Sequence, residues 1–374
     1  MDAVGPAPRG VKPKLFSSDF LSNKWAKAFF FVVAFQAVIC VGFETYVFAR
    51  FQFSLELQEY ELDTRPDLSD DERKSLKAQY KTIPTFLALF IFGFIYVLVL
   101  AWDALRRKNT IQIIGLCLAN LALFIYTILQ IDQIRRSIAE LKAKGVIKPD
   151  PNHGEIWQRS APFLIAVPAI VGVITLAMSG IAYQLYREFA WDILKQIGAD
   201  YRMKKRFLHY QVYIALLKFD FFFFLGFTIQ FIVVVNNLKN FELGLHVAAV
   251  PITIAILLCA AFFTQRENKI GVYFIILLDF GALAYFFFKL VRIYQTGHSQ
   301  DYAAVRQSLT AFAVMTIVLI VLTIINAFVC MSNFGAGLKV HLLSPRLTDP
   351  EKEDANSYQL NDQKPALPSR MTID

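Results

Sequence analysis

The chain has 374 residues, 56% of them hydrophobic and 18% charged, with a mean hydropathy of +0.45 and a formal net charge of +8. Soluble domains carry about 25% charged residues, so a soluble core inside a polar shell is excluded and a bilayer protein with little mass outside the membrane is expected. Phe accounts for 36 aromatic residues against 15 Tyr and 4 Trp, a further skew toward an apolar solvent.

Residues 1–26, with Pro6, Pro8 and Pro13, read as a disordered tail. A hydrocarbon core about 30 Å thick needs about 20 apolar residues per helix. Eight stretches qualify: 27–49, 84–103, 111–131, 161–186, 210–235, 244–264, 270–291 and 308–330. The first is too long for the apolar region of a signal peptide and is followed by Ala49, Arg50 and Phe51 rather than a cleavage site, so it reads as a retained anchor. The loop 50–83 carries eight carboxylates against six bases. Within it Phe51, Phe53, Leu55 and Leu57 alternate with polar residues as in a short strand, and Ser69 ahead of Asp70, Asp71 and Glu72 marks a helix start. The third helix is expected to continue into the loop 132–160 through Arg135, Arg136 and Glu140, then break near Pro149 and Pro151. Arg266, Glu267 and Lys269 divide the sixth span from the seventh. Residues 334–374, with Asp349, Glu351, Glu353 and Asp354, read as a second disordered tail.

The fold class is therefore all-α, a polytopic transmembrane bundle of about eight spans over 27–333. Lys and Arg set its orientation. With an even number of spans the termini share a side with segments 104–110, 187–209 and 265–269, which hold eleven bases in 35 positions. The opposite loops are sparser, so both termini are expected in the cytosol and the loops 50–83 and 132–160 in the lumen.

Ionisable side chains at bilayer depth cost at least about 2.5 kcal/mol and need a partner or a wet cavity. Glu44, Lys218, Asp220 and Asp279 qualify, and Lys289 lies near a span end where it can snorkel. Lys218 and Asp220 are two residues apart, so they project from different faces of one helix. Matching depth at about 1.5 Å per residue predicts Lys218 with Asp279 and Glu44 with Lys289, leaving Asp220 unpaired between helices one, five and seven. Asp220 is then either a protonation or cation site, with Gln230, Gln36 and Asn120 as polar lining, or part of a network that fixes which helices pack together. Both readings stand at this point. The run Arg202, Lys204, Lys205, Arg206 is either an ordinary positive-inside anchor or a contact for anionic lipids of the cytosolic leaflet. Gly172 and Gly180 are candidates for close helix packing, and Pro162, Pro168 and Pro251 for kinks.

Chemistry-bearing motifs fail at the first test. The five His are scattered, with no second His or Cys at metal-ligand spacing, and neither a phosphate-cradling loop nor a nucleophile elbow is present. No metal, cofactor, nucleic acid or enzymatic activity is expected. Cys40, Cys117, Cys259 and Cys330 all fall within spans, so no disulfide braces the loops.

The stretch from Ala199 to Phe231, ADYRMKKRFLHYQVYIALLKFDFFFFLGFTIQF, resembles a family of fungal Golgi apparatus membrane proteins with multiple spans and no assigned activity. The resemblance extends across the spans and implies a Golgi or related endomembrane address, with no site residue carried over. The expected function is passage of a small solute or ion through the bundle by way of the buried charges. The alternative is an interaction protein in membrane trafficking or organisation, recruiting partners through the basic loop and acidic tail.

Overall fold

The computed structural model describes residues 23–64, 70–143, 156–197, 201–234, 240–295 and 306–335. Among them are eight helices: α1 (Lys24–Thr64), α2 (Asp70–Arg106), α3 (Thr110–Ala143), α4 (Ile156–Ile197), α5 (Tyr201–Val234), α6 (Asn240–Gln265), α7 (Lys269–Tyr294) and α8 (Arg306–Ser332). Each contains a stretch long and apolar enough to cross a membrane. The expected tails, apart from Asn23 to Ala26 and Phe334 to Gly335, and the break near Pro149 and Pro151 lie outside the described residues.

The strand expected at Phe51 to Leu57 is a correction: α1 runs through it to Thr64. Phe51 and Leu55 are also helical i, i+4 neighbours, and the segment contains good helix formers and no Gly or Pro. At about 1.5 Å per residue, 41 residues make α1 about 60 Å long, twice the hydrocarbon thickness. Its far half joins α2 and α3 in a core of Phe51, Leu76, Ile134, Ile138 and Leu141. The third helix continues through Arg135, Arg136 and Glu140 as expected. The short helix expected at Asp70, Asp71 and Glu72 is not separate: α2 runs unbroken from Asp70 through Pro84 to Arg106, and Ser69 lies outside the described residues.

The helices form two rings of four. In the first, α1 packs on α2 and α4, and α3 on α2 and α4; in the second, α5 packs on α6 and α8, and α7 on α6 and α8. Contacts between the rings run mainly through α5, which meets α2, α3 and α4, with Tyr126 of α3 also against Phe312 of α8. The rings share a turn design. Lys108 (φ 51°) and Glu267 (φ 53°) are left-handed, each followed by an Asn that starts the next helix. Asn109 Oδ1 accepts from Gln112 N at 3.1 Å, and Asn268 Oδ1 from Gly271 N at 3.3 Å. The backbone bonds match as well: Asn109 N donates to Ala104 O and Asn268 N to Phe263 O, both at 2.9 Å, closing the preceding helix in the six-to-one pattern of a Schellman turn. Five residues between spans six and seven suffice because the helix stop and the next cap overlap.

Glycine admits the aromatic rings. A methyl group at Gly226 would meet Phe312 Cε1 at 2.4 Å, and one at Gly172 would meet Phe124 Cε2 at 2.9 Å. Gly172 thus fills the close-packing role expected of it. Gly180 does not, since nothing lies within 4 Å of the added carbon. Cys330 is buried, at 5% exposure, as a packed apolar side chain.

Candidate functional site

Corresponding positions of the two rings carry polar layers in the bundle interior. Eleven residues past its capping asparagine, α3 presents Asn120; eleven past its own, α7 presents Asp279. In the first ring Gln36 Nε2 donates to Asn120 Oδ1 at 2.7 Å, while Asn120 Nδ2 donates to Gln36 Oε1 at 3.1 Å and to Thr175 Oγ1 at 2.8 Å. This amide layer joins α1, α3 and α4 and is saturated. Gln36 and Asn120, expected as polar lining, are thus bonded to each other and to Thr175 as interhelical glue, worth about 0.6 kcal/mol per bond in a bilayer.

The second ring repeats the layer with carboxylates. Thr323 of α8 donates to Asp220 Oδ2 of α5 at 2.6 Å, and Asp279 stands on α7. Asp220, Asp279 and the Tyr213 hydroxyl lie within electrostatic range of one another. Asp220 Oδ1 and Asp279 Oδ2 are buried without a hydrogen-bond partner among the described residues, and the buried Tyr213 hydroxyl faces the Thr264 side chain. Asp220 is 6% exposed and Tyr213 0%. A layer of fixed neutral dipoles in one ring is thus a layer of two acids with spare acceptor capacity in the other.

The expected ion pairs are both corrected. Lys218 bonds Asp103 of α2 and donates to Gln112 Oε1 of α3 at 2.7 Å, not to Asp279. Glu44 accepts from Gln130 Nε2 at 3.4 Å, not from Lys289, and its Oε1 is buried without a partner. Equal depth does not make two helices neighbours: α1 belongs to one ring and α7 to the other. No common space between α1, α5 and α7 is therefore formed at these residues. Lys289 is buried, its Nζ 4.1 Å above the Phe231 ring and 5.6 Å from that of Tyr285, rather than snorkelling outward. Gln230 is 0% exposed and neither amide atom has a hydrogen-bond partner.

Asp103, Gln112, Tyr213 and Thr323 were not among the expected site residues. Asp103 was legible in principle, since it sits at the end of the second apolar stretch and α2 runs on to Arg106. Gln112 and the hydroxyls carry no charge and leave no such trace. The basic run is divided by the helix: Arg202, Lys205 and Arg206 line a recess of about 480 Å³ with His209, Ser332 and Asn333, while Lys204 points elsewhere.

Eight apolar helices in two rings, tied by buried polar layers, define a polytopic integral membrane protein in contact with the lipid bilayer. The chain is 30% identical over 331 residues to a UPF0658 Golgi apparatus membrane protein of Schizosaccharomyces pombe, covering 84% of this chain and 89% of that one. It belongs to that family of Golgi apparatus membrane proteins. No protein-family model matches the sequence, and no solved structure does.

Proposed function

We propose that the protein is a non-enzymatic carrier of a small solute or ion across the Golgi membrane, in which Asp220 and Asp279 bind the transported or coupling cation. The observation that carries this is the pair of carboxylates in the second ring, neither bonded to a basic side chain and each with a buried oxygen that lacks a hydrogen-bond partner among the described residues. Intramembrane carboxylates are expensive, and a proton or metal cation offsets that cost. The two-ring design agrees, because carriers built from internal repeats bind at the repeat level and rock one half against the other. With Asp220 enclosed, the described conformation corresponds to an occluded state, and the α5 seam is the surface on which the rings move. The basic rim faces the cytosol by the positive-inside rule, which places both termini there.

The test is flux. Purified protein in proteoliposomes with an entrapped pH dye and cation-sensitive dyes is challenged with proton, sodium and potassium gradients. The wild type is expected to dissipate one of them, and Asp220→Asn and Asp279→Asn to abolish that flux while eluting and unfolding as the wild type does. Flux unchanged in both variants, or no wild-type flux under any gradient, overturns the proposal in favour of a role in membrane trafficking or organisation.

A further inference from the structure

A second site lies on the seam between the rings. Two cations there share one carboxylate: Arg107 Nε stands 2.9 Å from Asp103 Oδ1, and Lys218 Nζ is bonded to Asp103 Oδ2. One positive charge is left over. The Lys218 and Asp103 side chains are 21% and 19% exposed, while Arg107, 58% exposed, stands at the rim, where its guanidinium is open to an anion from outside.

Next to this cluster α2, α5 and α6 enclose a cavity of about 490 Å³. Arg107, Lys218 and Gln265 belong to its polar end, at the rim where α2 and α6 finish. From Gln265 its wall follows α6 back to Ile254, eleven residues or about 16 Å toward the bilayer interior, facing Leu217 and Phe221 of α5. The α6 wall reaches the outer surface, with Leu258 66% and Phe262 47% exposed, so the cavity opens sideways to lipid. Trp102 with Arg106 stacked on it at 5.3 Å marks the interface level at the same end.

We propose that this cavity seats an anionic glycerophospholipid from the leaflet at the basic rim, its phosphate against Arg107 and Lys218 and an acyl chain along the α5–α6 groove. The charge excess selects a negative headgroup, and the apolar wall selects a ligand with a hydrocarbon tail over free phosphate. The site is separate from the acidic layer and from the basic recess at the start of α5, and it does not depend on transport.

The experiment uses full-length protein in neutral-detergent micelles, doped with phosphatidic acid or with phosphatidylcholine and read by native mass spectrometry. Phosphatidic acid is expected to be retained in preference to phosphatidylcholine. Arg107→Gln, which leaves the Lys218–Asp103 pair intact, should weaken that retention about fivefold, the effect of one base at an anionic headgroup. Ala261→Phe, which fills the groove without touching charge, should weaken it too, while Arg136→Gln on the opposite rim should not. Thermal unfolding establishes that the variants are folded. Equal retention by wild type, Arg107→Gln and Ala261→Phe overturns the proposal. So does displacement of the lipid by millimolar inorganic phosphate, which would make this a free-phosphate site.

Discussion

Replacing Asp103 by Asn tests whether the seam is held by a paired charge. The carboxylate accepts from Lys218, from Arg107 Nε at 2.9 Å and from Gln112 Nε2 at 3.3 Å. The amide keeps the shape but removes the charge and one acceptor, so that Lys218 and Arg107 compete for a single neutral oxygen and no anion faces the Lys218 ammonium. Breaking a fully buried pair costs about 3–5 kcal/mol, and an exposed pair is worth about 0–1. Side-chain exposures of 21% and 19% lie nearer the buried limit, so Asp103→Asn should destabilise by about 2–3 kcal/mol. Lys218→Met in the same chain removes the orphaned ammonium, and the double variant should recover about 1–2 kcal/mol relative to the sum of the singles. Reversible unfolding by steric trapping in mixed micelles gives the free energies. Asp132→Asn is the reference, because its pair with Arg136 is 58% and 67% exposed. If Asp103→Asn costs no more than Asp132→Asn, or the double variant is no better than additive, the charge at the seam is solvated and the reasoning fails.

Further outcomes follow from the packing. Asn120→Leu removes three interhelical bonds and strands the Gln36 amide, and should destabilise by about 2 kcal/mol in the same unfolding assay; an unchanged free energy would show the layer to be water-filled. Gly226→Ala drives a methyl group into the Phe312 ring, itself held by Tyr126, Phe222 and Phe223, and should cost about 1–3 kcal/mol. Gly180→Ala meets open space and should stay within about 0.5 kcal/mol of the wild type, so equal losses at the two glycines would contradict the packing described.

The number of spans was legible because length and apolarity are enough to define a membrane helix, and the structure has all eight. What failed was whatever needed knowledge of neighbours. The alternation at Phe51 to Leu57 fits both periods, and the burial of Phe51 with Leu76 of α2 and Ile134 of α3 depends on residues elsewhere in the chain. Lys218 was singled out by its cost. Its partner was not, because depth along a helix says nothing about azimuth or adjacency. Asp220 was singled out by elimination, yet its two neighbours, Thr323 and Asp279, follow only from the second ring closing on itself.

The position of α5 between the rings has a consequence for how the sequence can drift. Of the most apolar stretch of α5, 50% of the residues are buried, against 11% in α6. A substitution on α5 must satisfy α6 and α8 on one side and α2, α3 and α4 on the other, so few replacements serve both. A substitution on α6 is judged over most of its surface by lipid alone, which accepts one branched hydrocarbon as readily as another. Neutral change should therefore accumulate on α6 and be filtered on α5, and variants at the fifth helix should be the ones that disturb both halves of the molecule at once.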